Sequence, residues 1–343
     1  FASYEIIEGL NFKTTFGLSS ENEFNGTYMP RTLTVTAGGV NGRAIMSTDK
    51  RKNILSESYL TYTKEIAKGN LTLLGGYSYQ KMTNSGSFNE GTGTISDAFS
   101  YYGLYTATSL IQPTDGDIYL TKKEIQSQYA RVNYDWDDKY LLTATVRRDG
   151  ASNFAENEKY AIFPSAALGW RISNESFMEN MNAVSNLKLR ASYGVTGNPS
   201  IDPYQSLASL ASIYASSNGG TVPAVTPNQP ANPNLKWESS YQANIGIDLG
   251  LFDDKVSLAV DLYNINTEDL IMTDNGIPWY LGYYNPEILT NVGAVNNKGI
   301  EISLYTSNIN NKDFTWTSDL IFAKNKNTVT TLISQTLKSP YFL

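Results

Sequence analysis

Two amino acids are absent from this chain of 343 residues, which contains neither cysteine nor histidine. Without cysteine there is no disulfide, no zinc–thiolate site and no thiol nucleophile. Without histidine the chain lacks the commonest general base and the commonest transition-metal ligand, and a serine hydrolase within it would lack its usual base. The composition therefore argues against covalent catalysis and predicts that the protein is not an enzyme.

Long apolar runs are also absent, and the mean hydropathy is -0.31. No stretch approaches the roughly 20 apolar residues of a transmembrane helix, but this leaves a transmembrane barrel open, because its lumen-facing residues dilute the hydropathy. Positive charge is scarce as well, with a net charge of -7 and a pI near 4.8. This acidic balance argues against nucleic acid as a partner.

What the sequence does contain is a strand pattern, in about a dozen runs of roughly 8 to 12 residues that alternate apolar and polar positions. Leu187, Leu189 and Ala191 are separated by Lys188 and Arg190, for example. Since a strand points successive side chains to opposite faces, each run has one apolar and one polar face. With 24 tyrosines, 26 glycines and 12 prolines, the composition suits a β-rich protein.

The connections between these runs are of two kinds. Short turns such as Glu8–Gly9 and Asp137–Lys139 alternate with four long polar stretches, Ser20–Asn53, Met82–Glu124, Asn198–Ser239 and Thr267–Asn297. We expect Pro164 at a bulge or near the outer end of its strand, and a helical turn between Asn174 and Asn186. A soluble β-sandwich or β-helix also alternates. The unequal connections and the aromatic ends favour an all-β, transmembrane antiparallel barrel with short periplasmic turns and long extracellular loops.

Several long segments in register resemble the SusC/RagA family of TonB-linked outer-membrane transporters. They span most of Tyr129 to Val329 and read ARVNYDWDDKYLLTATVRRDGASNF, FPSAALGWRIS, LKLRASYGVTGNPSIDPYQS, NPNLKWESSYQANIGIDLGLFDDKVSLAVDLYN, NVGAVNNKGIEISL and DFTWTSDLIFAKNKNTV. The earlier segments EGLNFKTTFG and LTLLGGYSYQ fit the same family.

The resemblance implies a 22-stranded barrel filled by an N-terminal plug, in the outer membrane of a Bacteroidetes-type bacterium. It also implies energy from TonB, a SusD-like lipoprotein lid and import of an oligosaccharide or peptide. We expect residues 1–343 to be a barrel segment of about twelve strands, without the plug, the TonB-contact segment or the final strands. The tail Ser334–Leu343 lacks the pattern of a closing strand. A passive porin or structural barrel, and a secreted β-rich adhesin, remain the alternatives.

Charged residues on the polar strand faces are expected to line the lumen. Some would contact the plug or a passing substrate, whereas the alternative is a hydrated wall in which pairs such as Arg147 and Asp149 neutralise each other. The predicted lumen-facing residues are Arg131, Arg147, Asp149, Arg171, Lys188 and Arg190, with Lys13, Asp248, Asp261, Glu301 and Asp319 on the same faces.

Aromatic residues in the long stretches are the predicted substrate contacts, because flat rings with polar tips suit sugar rings and peptide side chains. One group contains Tyr101, Tyr102, Tyr105 and Tyr119, and the other contains Trp279, Tyr280, Tyr283 and Tyr284. The alternative is packing against each other, the plug or the lid. No cofactor is expected. Asp115 with Asp117, and Asp274 with Asn275, lack the full spacing of a calcium loop.

Overall fold

A computed structural model of the chain describes residues 1–33, 41–111, 113, 116–217 and 219–332. Within these ranges, thirteen strands form one antiparallel sheet, and two more form a separate hairpin. The predicted number was about twelve. The strands are β1 (Ala2–Ile7), β2 (Leu10–Met29), β3 (Arg43–Ile66), β4 (Gly69–Thr92), β5 (Ser109–Ile111), β6 (Ile118–Trp136), β7 (Tyr140–Ala151), β8 (Tyr160–Arg171), β9 (Val184–Asn198), β10 (Ser209–Ser217), β11 (Gly220–Gln229), β12 (Glu238–Leu251), β13 (Val256–Asp274), β14 (Ile288–Asn310) and β15 (Thr315–Thr331).

The main sheet follows chain order, with each strand hydrogen-bonded to the next. There are two exceptions. β5 forms a short side branch on β4, and the β10–β11 hairpin is inserted in the chain between β9 and β12, which pair with each other. Short 3-10 helices occupy Asp97–Thr106, Ile172–Asn174, Ser176–Met178 and Trp279–Leu281. Among the described residues, no helix combines the length and apolarity needed to cross a bilayer. The prediction of an all-β antiparallel fold is confirmed.

The register divides the main sheet into an apolar face and a polar face, because directly paired residues of neighbouring strands lie on the same side. One row on the apolar face runs through Leu142, Leu168, Ala191, Ile245, Leu262 and Ile300. Leu168, Ile245 and Leu262 are 59%, 64% and 53% exposed. A continuous exposed apolar band of this size is what a lipid-facing barrel wall requires.

Aromatic rings mark the end of the apolar band beside the short turns. Tyr140 lies between Trp136 and Trp170, with ring centroids 5.6 and 6.3 Å away. Glu175, in the connection after β8, accepts hydrogen bonds from Tyr140 Oη at 2.7 Å and Trp170 Nε1 at 2.9 Å. The bond from Tyr140, followed by that from Trp170, lowers the pKa of the Glu175 carboxyl. Glu175 is therefore held in place at the end of the apolar band, beside aromatic rings of the kind that lie at a membrane interface.

The predicted long connections are shorter than expected, because much of each one is strand. β2 and β3 stay paired out to Met29 and Arg43, and β13 and β14 out to Asp274 and Ile288. The stretch Asn198–Ser239 contains the β10–β11 hairpin. Strand pairing needs only backbone hydrogen bonds, so these hairpins continue beyond the point where the apolar alternation that defined the runs ends.

Of two local predictions, the one for Pro164 is wrong and the other is confirmed. Pro164 lies inside β8, paired with Val146 in a β7–β8 ladder that continues to Tyr160 without a bulge. It lies just beyond the β8–β9 ladder, which begins only at Ser165. The connection after β8 holds two 3-10 turns, Ile172–Asn174 and Ser176–Met178, where one helical turn was expected. Residues 34–40 of the first long stretch, Asp115 of the calcium candidates, and the tail Ser334–Leu343 lie outside the described residues.

Candidate substrate vestibule

The residues predicted to face the lumen all lie on the polar face. Arg131 is paired with Thr145, and Arg190 with Gly246, which is itself paired with Asp261. The same register places the other members beside them, namely Lys13, Arg147, Asp149, Arg171, Lys188, Asp248, Glu301 and Asp319. The structure therefore brings them to one surface, although in several separate clusters.

Arg190 is the centre of the strongest cluster, since it holds two carboxylates at once. Its Nε and Nη2 donate to Asp248 at 2.8 and 2.9 Å, and its Nη1 and Nη2 donate to Asp261 at 3.0 Å each. Gly246 lies between them, where a Cβ would lie 2.5 Å from Asp261 Oδ1. Both edges of the guanidinium are occupied, so Arg190 links β9 to β12 and β13. One cation and two carboxylates give the cluster one excess negative charge.

The other predicted charges differ in how far they are neutralised. Arg147 Nε pairs with Asp149 at 2.7 Å and its Nη2 donates to Ser127 at 2.8 Å, while Arg171 pairs with Asp138. Arg131 donates to Thr145 Oγ1 at 3.1 Å and has no ion pair within the described chain. Lys188 is half-buried and likewise has no ion pair there. Lys13 also has no ion pair in the described chain, and its Nζ lies 5.3 and 5.9 Å from the ring centroids of Phe1 and Tyr59. Arg131, Lys188 and Lys13 are therefore the predicted lumen-facing cations that lack a carboxylate partner there.

A buried cluster fills the gap where β8 and β9 separate, and sequence analysis missed it. β8 continues from Ser165 back to Tyr160, and β9 from Gly194 to Asn198, without pairing with each other. Phe154 and Leu235 are 1% and 0% exposed there. The centroid of the Phe154 ring lies 5.0 Å from that of Trp237, whose Nε1 donates to Lys159 O at 3.0 Å. The remaining members are Ala151 and Phe163.

Polar side chains tie the following loop to this cluster. Asn153, 1% exposed, donates through Nδ2 to the carbonyls of Pro199 and Ile201 at 3.0 Å each. Lys123 Nζ donates to the same two carbonyls at 2.7 and 3.5 Å. Lys123 of β6 and Asn153 of the β7–β8 connection thus hold one short loop segment from two sides. The Pro199 carbonyl also accepts from the Ile201 N–H at 2.8 Å, so the segment is held by its own backbone as well.

A cavity of about 670 Å³, called the vestibule below, lies against this fixed segment. Ile201, Ile271 and Leu289 pack against the buried cluster and also line the cavity. Its polar lining includes Lys123, Asn198, Asp202 and Glu238. Glu238 accepts from Asn198 Nδ2 at 2.6 Å and from the Ile271 N–H at 2.8 Å, so its carboxylate is held in place. A rigid concave surface with mixed apolar and polar lining suits a small part of a larger ligand.

The first group of predicted aromatics packs on the projecting ends of β2 to β4. The Tyr101 ring lies 4.5 Å from that of Tyr102 and 5.8 Å from that of Phe24, and a Cβ on Gly26 would come within 2.5 Å of it. Gly26 is in line with the apolar face of β2. Tyr101 is therefore a packing residue on that side of the hairpin.

Tyr102 and Tyr105 of the same 3-10 helix are 61% and 77% exposed and line a second cavity of about 740 Å³. Like Tyr101, they lie on the continuation of the apolar face, away from the 670 Å³ cavity. Tyr119 was grouped with them as a loop residue, which is wrong, because it belongs to β6. Its Oη donates to Asp49 Oδ1 at 2.6 Å.

The second aromatic group is presented to solvent by a braced loop. Trp279, Tyr280 and Tyr284 are 83%, 70% and 69% exposed, and Tyr283 is half-buried. The Tyr284 N–H donates to Pro227 O at 2.8 Å, which joins the loop to β11. A 3-10 turn that ends at Gly282, with φ of +78°, holds the first two rings at the tip. These rings are accessible to a ligand.

The buried cluster was not predicted because its members come from distant loops and lack strand alternation. The sequence did contain one indication of it, since Phe154 and Trp237 are large aromatic residues that stand among asparagines and charged residues in the polar connections. A large aromatic residue in such a polar segment needs burial elsewhere. For calcium, Asp274 Oδ1 accepts from the Gly276 N–H at 2.8 Å, and no group of three acidic residues suited to a metal was found within the described ranges.

Together the sheet and its two faces define a transmembrane β-barrel wall, apolar on one side and charged on the other. The protein-family model described as "TonB dependent receptor-like, beta-barrel" matches residues 3–339 of this chain. The chain therefore belongs to the TonB-dependent receptor β-barrel family.

The similar proteins agree with this assignment. The chain is 45% identical over 327 residues to TonB-dependent receptor P3 of Formosa agariphila, covering 95% of this chain and 32% of that protein. It is 31% identical over 295 residues to TonB-dependent receptor SusC of Bacteroides thetaiotaomicron, covering 83% of this chain and 28% of SusC. A structure of the RagAB peptide transporter matches with a TM-score of 0.85 and 26% identity, covering 96% of this chain and 36% of that chain. The chain thus spans about a third of the length of these relatives.

Proposed function

We propose that this chain forms part of the barrel wall of an active importer in the outer membrane. The importer captures an oligosaccharide or peptide under a SusD-like lipoprotein lid and is energised through TonB. The barrel provides a rigid wall and a selective vestibule and performs no covalent chemistry. The plug, the TonB-contact segment and further barrel strands belong to other parts of the same polypeptide.

The observation that carries the proposal is the combined match to SusC and to the RagAB structure over most of this chain. The structural match at a TM-score of 0.85 covers both the strands and their projecting ends. The vestibule supports the same function, because its lining is held by Asn153, Lys123 and Glu238 before any ligand arrives. Preorganised binding surfaces lose less entropy on capture.

The test uses the native polypeptide, extracted from outer membrane in mild detergent with everything that co-purifies. We expect a mass well above the 37.9 kDa of this chain and a second lipoprotein attached. In cells, uptake of the substrate should stop when TonB is deleted. Ion conductance without an energy source would instead identify a porin, and solubility without detergent would identify an adhesin. Separate uptake assays with labelled oligosaccharides and peptides assign the substrate class.

Removal of the exposed rings at the loop tip should weaken capture. In a Trp279→Ala/Tyr280→Ala variant, we expect the substrate concentration for half-maximal uptake to rise about threefold to tenfold, since aromatic contacts contribute about 0.5–1.5 kcal/mol. The matched control is Phe314→Ala, an aromatic residue 56% exposed beside a short turn. An unchanged half-saturation concentration in the double variant would remove this loop from the binding surface.

A further inference from the structure

Positive charge collects at one edge of the apolar band, although the chain as a whole has a net charge of -7. On five strands the first apolar-face position beyond the band, on the side away from the short turns, is a cation. The band ends at Ile54, Tyr79, Val146, Ile300 and Phe322, and the next residues on that face are Lys52, Lys81, Arg148, Lys298 and Lys324. Because the same placement recurs on five strands, it is a feature of the whole surface and not of one strand.

We call these five cations the cationic girdle. Three more lysines extend it on the same face, namely Lys50 on β3, Lys122 on β6 and Lys326 on β15. On the strands that carry the girdle, only one carboxylate shares that face beyond the band. This is Glu124, which pairs with Lys81 Nζ at 2.7 Å. The remaining girdle cations form no ion pair within the described parts of the chain.

The girdle also contains a direct repulsion. Lys298 and Lys326 are cross-strand partners in the β14–β15 ladder, and both are exposed. Like charges placed directly opposite each other destabilise a sheet, and no carboxylate of these two strands lies beside them on that face. An external anion between the two ammonium groups would turn this repulsion into attraction.

We propose that the cationic girdle binds the phosphate groups of lipids in the surrounding leaflet. This inference rests on the proposed membrane location. The lipid's acyl chains would cover the apolar band, and its phosphates would lie at the depth where the lysines begin. Lysine stems extend along apolar surface while the ammonium reaches the headgroup layer. Arg148 is already positioned, since its guanidinium lies 3.9 Å from the centroid of the Tyr160 ring and donates to Gln128 at 3.0 Å.

The depth of the girdle favours lipid over an acidic protein partner. Its cations begin immediately where the apolar rows end, so a lipid whose chains cover those rows would bring its phosphate to the lysines. The girdle also lies on the apolar face, opposite the lysines and arginines of the polar face. Basic residues beside a membrane attract anionic headgroups, each with an effect of about fivefold on binding.

The experiment uses the full-length protein in nanodiscs that contain phosphorylated lipid A or its dephosphorylated form, with retained lipid counted by native mass spectrometry. In a Lys52→Gln/Lys298→Gln/Lys326→Gln variant, we expect retention of the phosphorylated lipid to fall roughly tenfold or more. The matched control replaces three exposed lysines of the short turns, Lys68→Gln/Lys255→Gln/Lys312→Gln, and should retain lipid normally. A third variant with arginine at the three girdle positions should also retain it.

Equal retention of both lipid forms by the unchanged protein would overturn the proposal, as would equal loss in the girdle and turn variants. Inorganic phosphate that displaces the lipid A at matched phosphate concentration would show a free-anion site and also contradict it. TonB-dependent uptake is measured in parallel. If the unchanged protein retains lipid normally but shows no TonB-dependent uptake, the importer is refuted and the girdle proposal stands. If uptake depends on TonB but lipid retention does not depend on the girdle lysines, only the girdle proposal is refuted.

Discussion

Phe154→Ala is expected to open the vestibule locally while the barrel wall stays intact. The side chain is 1% exposed and packs against Trp237 at a ring distance of 5.0 Å. Truncation of a fully buried phenylalanine costs about 3–5 kcal/mol, because contacts are lost and a cavity remains. The loss falls on loops that are held by this cluster, whereas the main sheet keeps its own ladders. We therefore expect local opening of the vestibule within an intact barrel.

Hydrogen exchange of the full-length protein in detergent measures this opening segment by segment. Exchange of residues 152–159, 199–206 and 232–238 should become about a hundredfold or more faster, while the sheet stays protected. Phe177→Ala is the control, since Phe177 is 64% exposed in the connection after β8. Its effect should remain within about 0.5 kcal/mol. Unchanged exchange in those three segments of the Phe154 variant would show that the cluster does not hold the vestibule.

The main sheet could be predicted from the sequence because the relevant signal is local. Alternation at Leu187, Leu189 and Ala191 identifies a strand with two different faces without knowledge of its neighbours. The short turns then bring adjacent strands together in order, as with Asp137 and Asp138, whose positive φ values suit a tight hairpin. The polar face follows from the same alternation, so Arg190, Asp248 and Asp261 were placed correctly on one surface.

The vestibule could not be predicted in the same way, because it depends on contacts between distant segments. Asn153 and Lys123 meet the carbonyls of Pro199 and Ile201 from more than forty positions away along the chain. The projecting hairpins were missed for a different reason. Residues such as Ser20 and Asn53 pair through their backbones beyond the apolar band, where neither face needs to be apolar, so the alternation used to find strands is absent there.

A methyl group added at Gly197 should disturb the same cluster from the opposite side. A Cβ there would lie 2.0 Å from the ring of Phe163, a residue that is only 7% exposed. The ring cannot move into solvent without uncovering Trp237, whose ring centroid lies 5.5 Å away. Overpacking of this kind costs about 1–3 kcal/mol. We expect Gly197→Ala to raise hydrogen exchange in residues 152–159 and 232–238 by roughly tenfold or more.

Two variants separate this steric effect from the backbone effect of replacing a glycine. Gly75→Ala makes the same change in another strand, where no atom lies within 4 Å of the new Cβ, and should leave stability unchanged or slightly raised. A second substitution, Phe163→Leu, should restore part of the protection lost in Gly197→Ala, because the smaller side chain leaves room for the methyl group. Equal effects of Gly197→Ala and Gly75→Ala, or additive effects of the two substitutions in the double variant, would mean that the close approach is not what holds β9 against the cluster. Coupling between them would show that the wall of the vestibule is set by a single glycine–ring contact.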